Sequence, residues 1–286
     1  FKPDVLFMHG WELGGPFVQA LRQRFPTLKK VVGYDGIARH NLDCFLGTDI
    51  VIVPMRDSVR FYQAHGFIGH LFELGFNPGI LRLLEKRPPS IPASFVGSVN
   101  MGRRTHNERL RLLHHVNRRC PLQLFLSMQP VSQIPRIIAS NVVHRRVPSW
   151  RSLISDINAY WHLARDHHPA VFGKEMYQTL ANSAVSLNCH IDAAGANAGN
   201  MRMFEATGVG SCLLTDWKTN LHEFFELDRE IVAYHSPDEC VDKLMYLAQN
   251  PKQREAIAQA GQRRTLKDHN IQTEIRRFGE MLLEIL

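Results

Sequence analysis

Several things are missing from this 286-residue chain, and each absence removes a class of protein. No apolar run approaches the roughly 20 residues needed to span a bilayer, so a membrane-spanning protein is not expected. The five cysteines, Cys44, Cys120, Cys189, Cys212 and Cys240, are scattered and form no Cys-x-x-Cys pair. That argues against a disulfide framework and a zinc site, and for buried thiols in a reducing cytoplasm. Neither Gly-x-Gly-x-x-Gly nor Gly-x-x-x-x-Gly-Lys-Ser/Thr occurs, which speaks against a dehydrogenase and a P-loop enzyme. The histidines include no His-Glu-x-x-His, and the neighbours His114 with His115 and His167 with His168 put rings on different helix faces. No metal centre is expected. The chain opens on Phe1, Lys2, Pro3 and Asp4 with neither Met nor leader pattern, and reads as a trimmed or processed chain that starts inside a domain.

Positive charge is what the chain has in excess, at a net +7, and it is unevenly spread. Between residues 82 and 151, thirteen Lys and Arg face two acids, Glu85 and Glu108. Such a segment suits phosphate groups, an anionic membrane surface, nucleic acid or a plain solvated face, and composition does not choose among them.

The hydrophobic pattern alternates strands and helices. DVLFMH (4–9), KKVVGYDG (29–36) and TDIVIVP (48–54) read as buried strands, with helices over 16–25 and 57–65. GFNPGI (75–80) and RPPSIP (87–92) hold the turn formers of a domain junction. Strands then resume at ASFVGSV (93–99), LQLFLSM (122–128), AVSLNCH (184–190), SCLLTD (211–216) and EIVAYH (230–235). Helices are expected over 107–119, 174–182, 201–207, 237–248, 251–268 and 271–286, and nothing is assigned over 129–169. Short apolar strands separated by helices imply parallel sheets covered on both faces. The expected organisation is a partial first domain over 1–90, a second over 91–268, and a last helix, 269–286, packing back toward the first.

The stretch GANAGNMRMFEATGVGSCLLTD (195–216) concentrates the chemistry. It follows a strand and opens a helix, the place where open parallel sheets bind ligands. Gly195 and Gly199 let the backbone approach a ligand, and a helix start offers unpaired N–H groups to a diphosphate. Arg202 adds a full positive charge. Glu205, taken to lie near the helix start, can accept hydrogen bonds from both hydroxyls of a ribose, or can simply favour the helix dipole. Met201, Met203 and Phe204 read first as core residues.

HIDAAGANAGNMRMFEATGVGSCLLTD (190–216), with HEFFELDREIVAYHSPDECVDKLMYLAQNPKQREAIAQAGQRRTLKDH (222–269), resembles the C-terminal half of CgeB-type glycosyltransferases of the group 1 assembly. The resemblance covers about 171–269. It implies an α/β, GT-B-like fold: two Rossmann-like domains with parallel sheets facing a cleft, the first incomplete at its N-terminus. It also implies a nucleotide-sugar donor held by the second domain and a glycan, lipid-linked or protein acceptor. Glu205 matches the second acid of the family's Glu-x7-Glu motif, which contacts the donor ribose. The first acid falls at Asn197, a departure that removes a charge from the sugar end of the donor. Asn200, Met201 and Arg202 would meet sugar or phosphates together with Gly199. Arg103 and Arg104, in GSVNMGRRTHN, are candidates for the diphosphate. Asp35 and His9, each just beyond a strand of the first domain, are candidate bases for the acceptor.

GT-B enzymes typically use no metal, no Asp-x-Asp occurs here, and no cofactor beyond the donor is expected. A cytoplasmic location, with peripheral contact at an anionic membrane, goes with this assignment, and nucleic acid does not. Two alternatives stay open: a sugar-nucleotide epimerase on the same scaffold, and a non-catalytic nucleotide- or glycan-binding protein.

Overall fold

A computed structural model describes residues 2–9, 14–36, 42–101, 106–143 and 150–286. The chain divides into two compact units, Phe1–Gly75 with Ile271–Leu286, and Phe76–Asn270.

The first unit is built on a four-stranded, all-parallel sheet in the order β1-β2-β3-β4: Val5–His9, Lys30–Tyr34, Ile50–Val53 and Gly69–Leu71. Helices α1 (Gly15–Arg24) and α2 (Arg56–Ala64) make its crossovers. β3 reads IVIV and is buried along its whole length, as a strand covered on both faces has to be. One cover comes from the end of the chain. Helix α11 (Ile271–Ile285) sets Phe278, Met281 and Leu282 against Val32, Ile50 and Ile52.

The second unit carries six parallel strands in the order β10-β9-β8-β5-β6-β7. In chain order these are β5 (Ile91–Val99), β6 (Gln123–Met128), β7 (His168–Pro169), β8 (Ser183–Asn188), β9 (Cys212–Asp216) and β10 (Val232–Tyr234). The helices are α3 (Asn107–Asn117), α4 (Ile134–Val143), α5 (Trp150–Arg165), α6 (Gly173–Ala181), α7 (Met201–Gly208), α8 (Leu221–Phe224), α9 (Pro237–Gln249) and α10 (Pro251–Asp268). Pro237 and Pro251 sit in the first turn of α9 and α10, where a missing N–H breaks no bond, and Ser236 caps α9 by accepting from the Glu239 N–H. All five cysteines are buried free thiols.

The boundary between units lies at Gly75, not at residue 90. Phe76 is the reason. It is 1% exposed, packs edge-on to Tyr177 and lies flat against Gly208, and its N–H donates to the His269 carbonyl at 2.8 Å. The following residues are tied down as well, the Glu85 N–H donating to Gln178 Oε1 at 2.8 Å. Turn formers at 75–80 and prolines at 87–92 therefore shape a segment that belongs to the second unit.

Small residues set how closely α7 and α10 approach. A Cβ at Gly261 would stand 2.4 Å from the Glu230 carbonyl oxygen, and beside it Thr207 and Thr265 share a hydroxyl hydrogen bond of 2.6 Å. Alanine favours a helix over glycine by about 1 kcal/mol, but here the obstacle is backbone and cannot swing away. The clash wins. Gly261→Ala is expected to destabilise the protein by about 1–3 kcal/mol, read as a lower melting temperature by circular dichroism; an unchanged or raised value would show that α10 stands off farther than it does here.

Candidate functional site

Parallel strands all end at one edge, and in the second unit that edge is lined with polar side chains. Asn188, the last residue of β8, donates to Thr215 Oγ1 at 2.9 Å and accepts from Asn200 Nδ2 at 2.9 Å. Asn200 is the N-cap of α7, its Oδ1 accepting from the Met203 N–H. That leaves the N–H groups of Met201 and Arg202 in the first turn without intrahelical partners.

The loop before α7 is held from the neighbouring strand end. Gly195 and Gly199 take φ of +56° and +140°, angles at which a side chain is strained. Lys218 Nζ donates to the Gly195 carbonyl at 2.7 Å, the Thr219 N–H to that of Ala196 at 2.9 Å, and the Ala198 N–H to Asn220 Oδ1 at 2.6 Å. Behind Lys218 stands Asp216, ion-paired to it at 3.2 Å and accepting from both the backbone N–H of His190 and its Nδ1 at 2.9 and 2.7 Å. Burial alone would raise the Asp216 carboxyl, but the hydrogen bonds from His190 and the nearby Lys218 charge outweigh it and hold it at about 2. Since Asp216 is then a carboxylate, Nδ1 of His190 carries the proton.

Beside this loop lies a cavity of about 390 Å³, within the size range of small-molecule sites. Phe95, Val171, Phe172 and Met176 give it apolar walls; Ser98, Asn188, Asn200, Arg202 and Glu205 give it polar ones. Glu205 is 8% exposed. Its carboxylate is met by Arg202 Nη1 at 2.7 Å and by the Tyr177 hydroxyl at 3.3 Å, while Arg202 Nε reaches the Val96 carbonyl at 3.1 Å. Burial, then the Glu205 charge and hydrogen bond, push the Tyr177 hydroxyl up to about 12, so it stays a donor.

Asn200, Met201, Arg202 and Glu205 thus share one cavity. Glu205 stands in the second turn of α7, not the first, and its partner is Arg202, not the helix dipole. Asn197 and Gly199 shape the loop and are not in the lining; the Asn197 N–H closes a turn on Ala194. Arg103 and Arg104 lie outside the described residues. Asp35 is fully buried and accepts from the Tyr62 hydroxyl at 2.6 Å, which is a structural arrangement and not the open position of a base. His9 ends β1 exposed and stacked on Tyr34 at 5.3 Å.

Two contributors carried no sequence signal. Phe172 and its neighbours follow β7, a strand of two residues too short to read. Arg109 is buried in α3, holding the Cys189 and Ser98 carbonyls above the Phe95 ring, and in the sequence is one cation among thirteen.

Known proteins add context to this geometry. Residues 128–280, more than half of the chain, match the model of a family described as Glycosyl transferase-like. None of the curated proteins matches the sequence. Among solved structures, HepE (Alr3699) of Anabaena in complex with UDP-glucose aligns over 98% of this chain and 79% of its own, at 10% identity and a TM-score of 0.68. An Escherichia coli protein titled "Trehalose-6-phosphate", bound with UDP-2-fluoro glucose, aligns over 100% and 74% at 12% identity and 0.64. Sucrose-phosphate synthase of Thermosynechococcus elongatus aligns over 99% and 73% at 12% and 0.64. At such identities the likeness shows the fold, which is GT-B.

The Asp216 carboxyl gives a pH signature. Its pKa is lower folded than unfolded, so the stabilisation is complete above about pH 4 and is lost as pH falls toward 2. Asp216→Asn is expected to cost about 1–2 kcal/mol at neutral pH and to converge with the parent protein across that window in urea titrations. A gap that persists to pH 2 would dismiss the charge as its source.

Proposed function

The chain belongs to the Glycosyl transferase-like family, and from that premise we propose that it moves the sugar of a nucleotide-sugar donor onto a hydroxyl of a glycan, lipid-linked or protein acceptor. Glu205 is the observation that carries this reading: a buried carboxylate, ion-paired to Arg202, in the wall of a cavity of nucleoside size. A ribose presents two adjacent hydroxyls, and one carboxylate accepts from both. The apolar wall of Phe95, Val171 and Phe172 suits the base, and the α7 start with Asn200 and Arg202 suits the diphosphate. UDP-sugars are what the HepE and Escherichia coli structures hold, and a UDP-hexose is the donor assigned here.

In the transfer, the acceptor oxygen bonds to the anomeric carbon as the bond to the diphosphate oxygen breaks. The acceptor proton passes to a base, for which His9 has the exposure that Asp35 lacks. Negative charge grows on the leaving diphosphate, and positioned N–H groups and cations stabilise it without a metal. Asn197, standing where the related motif has an acid, brings no charge to the sugar end of the donor.

Glu205→Gln keeps the shape and removes the charge, so UDP affinity by calorimetry should fall by about 10–100-fold while pyrophosphate binding changes little; unchanged UDP affinity removes Glu205 from the site. With UDP-[14C]glucose, label should move to an acceptor and EDTA should leave the rate unaltered. Label found only in an altered free nucleotide-sugar would instead mark an epimerase, and binding without conversion a non-catalytic protein.

A further inference from the structure

Helix α5 is apolar on two opposite sides. Ala159, Tyr160 and Leu163 are buried in the core of the second unit, while Trp150, Ile154 and Trp161 are 66%, 65% and 42% exposed. At about 100° per residue these three fall within about 40° of one another, on the side turned away from the buried face. A helix that needs only one partner shows one apolar stripe. The second stripe, with two indoles, is left over after folding.

Cations frame it. Arg151 and Arg165 are exposed on α5, about 80° and 40° round the helix from the middle of the stripe, and α3 packs on the opposite side, with Asn117 bonded to Asp166 and Arg111 to Asp156. Neither arginine forms an ion pair among the described residues, and the one acid of α5, Asp156, lies toward α3 and is paired there with Arg111. Indole rings settle where one side is apolar and the other wet, and unpaired arginines draw negative charge.

We infer that the outer face of α5 is a docking surface for an anionic lipid bilayer, lying in the plane of the headgroups with Trp150, Ile154 and Trp161 inserted and Arg151 and Arg165 against the phosphates. The same stripe facing a second copy of the chain would bring like charges together, and a neutral partner would leave the arginines unanswered. No helix among the described residues is long and apolar enough to cross a membrane, so the contact is at the surface. The inference does not depend on the donor site, whose residues lie on other elements.

Cosedimentation with vesicles tests it, using phosphatidylcholine alone and phosphatidylcholine mixed in equal parts with phosphatidylglycerol. The protein should pellet with the mixed vesicles, less so at high salt, with a blue shift in tryptophan emission. Trp150→Ala/Trp161→Ala and, separately, Arg151→Gln/Arg165→Gln should each lower vesicle affinity by about tenfold, with the melting temperature and UDP affinity unchanged. Equal binding by the variants, no preference for the anionic vesicles, or a protein left in the supernatant would overturn the inference. So would a dimer in gel filtration that the tryptophan variant converts to a monomer, which would give the stripe to a second copy.

Discussion

A carboxylate buried to 8% exposure has to find a cation or give up its charge, and Glu205 finds Arg202 one turn back on its own helix. Much of the site's geometry depends on that pair. The guanidinium that holds Glu205 also reaches the Val96 carbonyl of β5, and the carboxylate's second oxygen takes the Tyr177 hydroxyl from α6. One ion pair therefore joins a strand and two helices around a single cavity. Removing one partner alone leaves the other buried and uncompensated, a loss typically larger than any net gain from forming the pair. The pair fixes where a polar ligand can bind more firmly than it adds stability.

Around that anchor the structure holds its backbone by side chains from the adjacent strand end. The loop ahead of α7 has few hydrogen bonds of its own, because Gly195 and Gly199 turn it out of regular structure. Lys218, Thr219 and Asn220 supply them. Asp216 and His190 then fix Lys218 from behind, so a ligand meets a loop already in place. Preorganisation of this kind reduces the ordering a ligand must impose on binding.

Most of the fold was legible in the sequence because parallel strands buried on both faces leave continuous apolar runs, as in IVIV of β3 and CLLTD of β9. The elements that escaped are those too short to carry a period, β4 with three residues and β7 with two, and the helices α4 and α5. α5 was hidden by its own composition: apolar residues on both sides blur the single stripe by which an amphipathic helix is recognised. At the site, Asn200, Arg202 and Glu205 share a loop and helix and could be read together. Phe95, Arg109 and Phe172 come from three distant segments, and only the folded sheet brings them to one cavity. Asp35 shows the converse. Position beyond a strand was visible, but enclosure by Tyr62 was not.

The basic segment makes the same point about charge. Counted along the chain, its arginines are equivalent, and no composition argument separates one from another. Folding sorts them by what they face. Arg109 turns inward and gives three N–H groups to the Cys189 and Ser98 carbonyls, and Arg111 closes on Asp156 and Ser152. Seven residues beyond Arg111 on the same stretch of chain, Arg118 and Arg119 face outward, as Arg82 does before them. An arginine closed on a carboxylate, as Arg111 is on Asp156, contributes little to attracting a distant anion, since its charge is offset there. The long-range attraction therefore comes from the outward set, and two of its members, Arg151 and Arg165, lie on α5, whose outer indoles have no place in the core.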